Sequence, residues 1–294
     1  MMTLVLIALL MGLTALVLTQ NEKLSRLENN AFSKNESMRI VNDLRQQFTS
    51  LLSNIHTSEE LDLIMRLPLH LKSKNGDFAI KMQFSSPYGR LNVNRLMESD
   101  GTINETNMIL LMRLLSLYPI ADADILIKFI FDTIDTDMNE RGIGTEISAT
   151  NPNFNNGRIA NFEQFNRILE RYVELTRDTS VLSIPWNRYI GFDGDKIDFN
   201  ALNPEILALI LPNISAEKIR SLTLFRTKAY LTKEEAIAAE PALANLFDNY
   251  FFIYTFGQSY TLLCDLRLIE NFHEEHLRFQ YNLLEKKVKH VEFL

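Results

Sequence analysis

The chain has 294 residues, enough for two domains, and 46% of them are hydrophobic, enough to bury substantial cores. Its 37 Asp and Glu against 30 Lys and Arg give a formal net charge of −7, which argues against general affinity for nucleic acid, because phosphate contacts need clustered cations. The single cysteine, Cys264, excludes an intrachain disulfide and any Cys-based metal motif, and reads as a small core residue.

Residues 1–19 carry no charge, and about 18 apolar residues suffice to cross the hydrocarbon core of a bilayer. Residues 1–20 are therefore expected to form a transmembrane segment. A secretory signal peptide is the alternative reading, but no Lys or Arg precedes the apolar run to supply its basic region. From Gly12 to Pro68 the chain has neither glycine nor proline, and Leu24, Leu27, Ala31, Met38, Val41, Leu44, Phe48, Leu51 and Ile55 recur in steps of three, four or seven. That spacing predicts one long helix, apolar at its start and amphipathic afterwards.

Strand periodicity follows, with Phe78, Ile80, Met82 and Phe84 alternating with Ala79, Lys81 and Gln83. Helices are expected over 108–117, 123–134, 162–175, 204–211, 216–226 and 233–239. Strands return over 250–256, 259–270, 275–284 and 287–293, with Leu262, Cys264, Leu266 and Leu268 on one face. The order predicts an α+β, pilin-like fold: a long N-terminal helix packed on an antiparallel sheet, with a large α-helical inserted domain. The corresponding segments are 1–20 in the membrane, 21–94 for the pilin-like helix and first strand, 95–247 for the helical insertion, and 248–294 for the closing strands. Two stretches echo each other, Gly89–Leu96 and Asp195–Leu202; both alternate Asn or Asp with apolar residues and lead to a helix, the pattern of turn and cap residues.

The most specific chemistry lies between Asp132 and Glu146. Counted from Asp135, oxygen-bearing side chains fall at places 1, 3, 5 and 12, the spacing of a twelve-residue calcium loop with Glu146 last. Place 6 is Glu140, where such a loop uses glycine. The expected ligands of a Ca2+ ion are Asp132, Asp135, Asp137, Asn139 and Glu146; an ordinary solvated acidic loop is the alternative. His273-Glu274-Glu275-His276 lacks the His-Glu-x-x-His spacing of a metalloprotease and reads as an exposed turn between strands. Glu234 with Glu235, and Lys286 with Lys287, read as solvated faces. Neither a Gly-x-Ser-x-Gly elbow nor a phosphate-binding glycine loop is present, so no enzyme is expected.

The combination resembles the minor pseudopilin K family of type II secretion systems. The resemblance is carried by the membrane segment, the Gly89–Asn94 turn, Phe131-Asp132-Thr133-Ile134-Asp135-Thr136-Asp137 with Gly144-Thr145-Glu146, and by the stretches Asn161–Leu169, Ile197–Leu207 and Arg226–Glu235. It implies a pilin-type sheet interrupted by a helical domain that binds calcium. It also implies a place at the tip of a short periplasmic pseudopilus, complexed with the minor pseudopilins I and J and alongside other pseudopilus and inner-membrane secretion components, in machinery that exports folded proteins. The implied location is the bacterial inner membrane, crossed once, with the C-terminal head in the periplasm and no nucleic-acid partner. The family lacks the acidic residue that pilins keep near their mature N-terminus, and nothing acidic precedes Glu22 here. Family members carry a short basic leader ending in glycine, whereas this sequence opens on Met1-Met2-Thr3, and its first cations, Lys23 and Arg26, follow the apolar run. Two alternatives stand beside this reading: a minor pilin of a type IV pilus, and a membrane-tethered DNA-binding protein with a helix-hairpin-helix unit over Ile197–Ala236.

Overall fold

The computed structural model describes residue 52 and residues 55–72, 78–228, 230–255, 257–270 and 273–293. The expected membrane segment at 1–20 and the amphipathic positions from Leu24 to Leu51 lie outside them. Among the described residues no helix is long and apolar enough to cross a membrane. The fold mixes helices with antiparallel sheet in two compact units. The described residues up to Ser86 join those from Tyr254 onward in one, and Pro87–Ile253 forms the other.

In the first unit a helix, α1, covers Ser58–Arg66. The expected single helix to Pro68 is therefore interrupted at Ile55–Thr57. The cause is local chemistry: Thr57 is extended, its hydroxyl accepts from the Glu60 amide at 3.1 Å, and the Glu60 carboxylate accepts from the His56 amide at 2.8 Å. Reciprocal capping of this kind starts a new helix. After it come β1 (Leu69–Lys72), a strand the sequence pattern did not announce, and β2 (Phe78–Ser85).

These two strands join β7 (Thr261–Glu270), β8 (His273–Asn282) and β9 (Lys287–Phe293) in one antiparallel sheet of order β1-β2-β7-β8-β9. One face is buried in register: Met82 stands opposite Leu266 and Leu266 opposite Leu277, with Ile80, Phe84, Leu262, Leu268, Phe279 and Tyr281 beside them. Cys264 lies on this face, wholly buried, and desolvation pushes its thiol pKa well up, as expected of an inert core sulfur. His273–His276 is not a turn; it opens β8, with His276 opposite Arg267, because the alternation of the following Leu277, Phe279 and Tyr281 sets the register.

The second unit is built from α2 (Glu105–Ser116), α3 (Ala123–Ile134), α4 (Ile147–Thr150), α5 (Phe162–Thr176), α6 (Pro204–Ile210), α7 (Ala216–Lys228) and α8 (Lys233–Ala239). Short polar side chains start most of them. Asn104, Asp122 and Asn161 each accept a backbone amide three residues ahead, and Thr232 with Glu235 forms a full capping box. Helix α5 ends at Arg177, which takes the left-handed conformation with φ 62°.

The two echoing stretches meet in space. Strand β3 (Leu91–Asn92) runs parallel to β4 (Ile190–Gly191), Asn92 Nδ2 donates to the Gly194 carbonyl at 2.6 Å, and the Asn203 amide donates to the Gly89 carbonyl at 3.0 Å. Gly89 is required there, since a Cβ would lie 2.1 Å from the Ala201 carbonyl oxygen. The expected closing strand at 250–256 is instead β6 (Phe251–Phe252), which pairs in parallel with β5 (Ile197–Asp198) inside the helical unit. Aromatic packing decides this: the Phe251 ring lies 5.3 Å from Phe199 and 5.4 Å from Phe247.

Candidate metal centre

Helix α3 places Asp132 in its last turn, where the helix dipole disfavours an acid and where the helix has no basic residue. Asp132 is nonetheless 1% exposed. Its carboxylate is satisfied from the loop that follows: Arg141 supplies its backbone amide at 3.1 Å and its guanidinium at 3.0 Å, and the Thr145 hydroxyl donates at 2.5 Å. The same guanidinium also contacts the Asp135 carboxylate, and it stacks 5.8 Å from the Phe131 ring centroid. Arg141 thus binds the first half of the loop to the end of α3. Burial tends to lower its pKa, but the hydrogen bonds it donates to Asp135 and Asp132 and the charges of those two carboxylates outweigh this and raise it.

The second half is arranged differently. Glu146 is also 1% exposed and caps α4, its Oε1 accepting from the Ser148 amide at 3.1 Å and from Asn156 Nδ2 at 2.7 Å. The Asn156 amide reaches the Asp137 carbonyl at 3.4 Å, and the Gly157 amide donates to the Thr133 carbonyl at 3.0 Å. Residues 156–157 therefore tie both ends of the loop together. Gly157 has φ +94°, and a side chain there would press on Thr136.

Three buried side-chain oxygens around the loop accept no hydrogen bond: Glu146 Oε2 and Asn156 Oδ1 in this half, and Asp135 Oδ1 in the first. Buried acceptors are ordinarily paired, and all three are oxygens of the types that hard divalent cations prefer. Desolvation raises the Asp135 pKa, an effect that the Arg141 contact lessens without cancelling. Among the described residues no group of three His, Cys, Asp or Glu is placed to hold a metal ion, so a cation here would need amide and carbonyl oxygens as well.

Of the five expected ligands, Glu146 and Asp135 carry unused buried oxygens, and Asp132 is engaged by Arg141 and Thr145. Asp137 and Asn139 stay on an exposed turn in which the Asp137 carboxylate accepts from the Asn139 amide at 2.7 Å. Sequence reasoning missed Arg141 and Asn156. The first was detectable as the one cation inside an acidic run; the second lies in the Asn155-Asn156-Gly157 turn, whose return to the loop no spacing rule announces.

The molecule is thus of a class in which a sheet unit, assembled from segments on either side, carries a large inserted helical unit. No family model and no curated protein matches the sequence. In structure the chain is similar to a chain in the crystal structure of the GspK-GspI-GspJ complex from the enterotoxigenic Escherichia coli type 2 secretion system. The match covers 89% of this chain and 99% of that one, with a TM-score of 0.54 and 12% identity, a likeness of fold.

Proposed function

We propose that this protein is a non-catalytic minor pseudopilin of a type II secretion system. In this reading residues 1–20 hold it in the bacterial inner membrane, its head stands in the periplasm, and it assembles at the pseudopilus tip with the minor pseudopilins I and J. The single observation that carries the reading is the fold likeness to a chain of the GspK-GspI-GspJ complex over nearly the whole of both chains. The uncharged stretch at 1–19 supports the anchor.

A calcium ion belongs to the same reading. Glu146, Asn156 and Asp135 would hold it with their unused oxygens, joined by the Asp137 carbonyl, while Asp132 stays with Arg141. The ion would supply positive charge to a loop whose buried carboxylates exceed its one arginine. The DNA-binding alternative is disfavoured by charge, because Pro87–Ile253 holds 23 Asp and Glu against 16 Lys and Arg, the whole net charge of −7.

Mixing the purified protein with its cognate I and J subunits tests the assignment. A complex eluting as one species in size exclusion is the expected result. Failure with well-folded partners, or duplex DNA binding that weakens steeply with salt, would count against it.

A further inference from the structure

The sequence contains two Asn-Gly pairs, Asn75-Gly76 and Asn156-Gly157, and the second lies within the described residues. Asparagine is a thermolabile residue, and it is most labile before glycine, whose missing side chain leaves the backbone nitrogen free to approach the carboxamide. Here the fold demands both members of the pair. Gly157 takes φ +94°, and a Cβ there would lie 3.3 Å from Thr136 Cγ2. Asn156 supplies the donor that ties the loop: its Nδ2 donates to Glu146 Oε1 at 2.7 Å, to Ser148 Oγ at 3.2 Å and to the Asp137 carbonyl at 3.4 Å.

The same contacts hold the pair apart from reaction. Nδ2 belongs to the leaving group and is engaged by three acceptors, while the Gly157 amide, the nucleophile, donates to the Thr133 carbonyl at 3.0 Å. The chain on either side is fixed as well: Gln164 Nε2 donates to the Asn155 carbonyl, and the Ile159 amide donates to Asn94 Oδ1, both at 2.7 Å. Ring closure needs the Gly157 nitrogen to swing onto Asn156 Cγ, and reaction depends steeply on such alignment. Water, the other reactant, is at hand, because Asn155 and Arg158 are exposed. What the closed loop withholds is the opening of the turn.

We infer that Asn156 is a deamidation site gated by the closed loop, and that reaction there locks the loop open. In the opened turn the Gly157 nitrogen bonds to Asn156 Cγ, its proton and the carboxamide nitrogen leave as ammonia, and a cyclic imide forms. Water then opens the ring at either carbonyl, leaving aspartate or isoaspartate; nothing is oxidised or reduced. The product carries a carboxylate where Nδ2 stood, so reclosure would press two anions together across the former hydrogen bond to Glu146 Oε1. Isoaspartate also lengthens the backbone before Gly157 by one carbon, out of step with the bond to Thr133. The inference rests neither on a bound cation nor on the secretion reading.

The test follows residue 156 by peptide mass mapping of the full chain, aged at mildly alkaline pH in nonionic detergent and chelator. In urea, Asn75 and Asn156 should convert at similar rates. In the native protein Asn156 should convert at least about 10-fold more slowly than in urea, the ratio that about 1.4 kcal/mol of local stability gives. Glu146→Ala removes the nearest acceptor of Nδ2 and should speed the native reaction about 3- to 10-fold. Asn156→Asp, which installs the product's charge, should lower the melting temperature by at least about 2 °C. Equal rates in native protein and in urea, no conversion of Asn156 in urea while Asn75 converts, an unchanged rate in Glu146→Ala, or Asn156→Asp as stable as the wild type would each overturn the inference. If Glu146→Ala does not fold, the native-to-urea ratio of the wild type and the Asn156→Asp melting temperature decide it.

Discussion

Asp132 and Glu146 close the two ends of one loop, and each is 1% exposed, yet the two carboxylates are stabilised by different means. Asp132 has an internal counter-ion: Arg141 reaches it with both backbone and side chain, and Thr145 completes the set. Glu146 has amide and hydroxyl donors on one oxygen only, and its other oxygen is buried without a partner. Equal burial therefore does not mean equal satisfaction. The Asp132 carboxylate is a finished structural joint, whereas the Glu146 carboxylate has acceptor capacity left over for a cation.

The largest effect should come from removing the counter-ion of the finished end. Arg141→Ala leaves the Asp132 carboxylate buried with only the residue-141 amide and Thr145, and should cost about 2–3 kcal/mol, read by urea unfolding. A loss under about 0.5 kcal/mol, the range of ordinary surface changes, would mean that the two ends do not differ as described.

Asp178 offers a second fully satisfied carboxylate for comparison, on the loop after α5. It accepts from the amides of Ala121 and Ser180 at 2.7 and 2.8 Å and from the Tyr172 hydroxyl at 3.1 Å, and these donors hold its pKa at about 2. Because the folded value is depressed below 3.8, its contribution is fully present above that pH and is lost as pH falls through about 2. Asp178→Asn should cost about 1 kcal/mol near neutrality, allowing for its partial exposure, and should flatten the acid limb of the stability curve. An unchanged acid limb would contradict the donor assignment.

Asp135 has the opposite sign. Its raised pKa means that the stabilising effect of protonation is present below 3.8 and is lost as pH rises through the folded value. The smallest effect belongs to the unfinished end. With calcium chelated, Glu146→Gln should leave stability unchanged or raise it by up to about 0.5 kcal/mol, since an amide there removes an under-satisfied buried charge. A loss above about 1 kcal/mol would show that Glu146, like Asp132, is already fully used.

Much of this was legible in the sequence where local chemistry decides. Helix α3 begins at the Asp122 cap and ends where the acidic run begins, and β2 and β7 follow their alternation. The interruption at Ile55–Thr57 was also written there, as Thr57-Ser58-Glu59-Glu60, but the absence of glycine and proline masked it. Strand β6 was misplaced because Phe251 and Phe252 look like sheet residues wherever they occur, and only packing against Phe199 and Phe247 assigns them to the helical unit. In the candidate site the spacing located the loop but not its division of labour. That division depends on Arg141 folding back on α3 and on Asn156 returning from ten residues beyond Glu146, contacts that a linear ligand count does not contain.

Calcium titration of the wild type and of Glu146→Gln, followed by thermal unfolding, tests the asymmetry of the loop most directly. Free calcium at 100 times its Kd should stabilise the wild type by about 2.7 kcal/mol and should leave Glu146→Gln unmoved. A wild type whose melting curve is the same in calcium and in chelator, or a Glu146→Gln variant that keeps the full shift, would contradict the account.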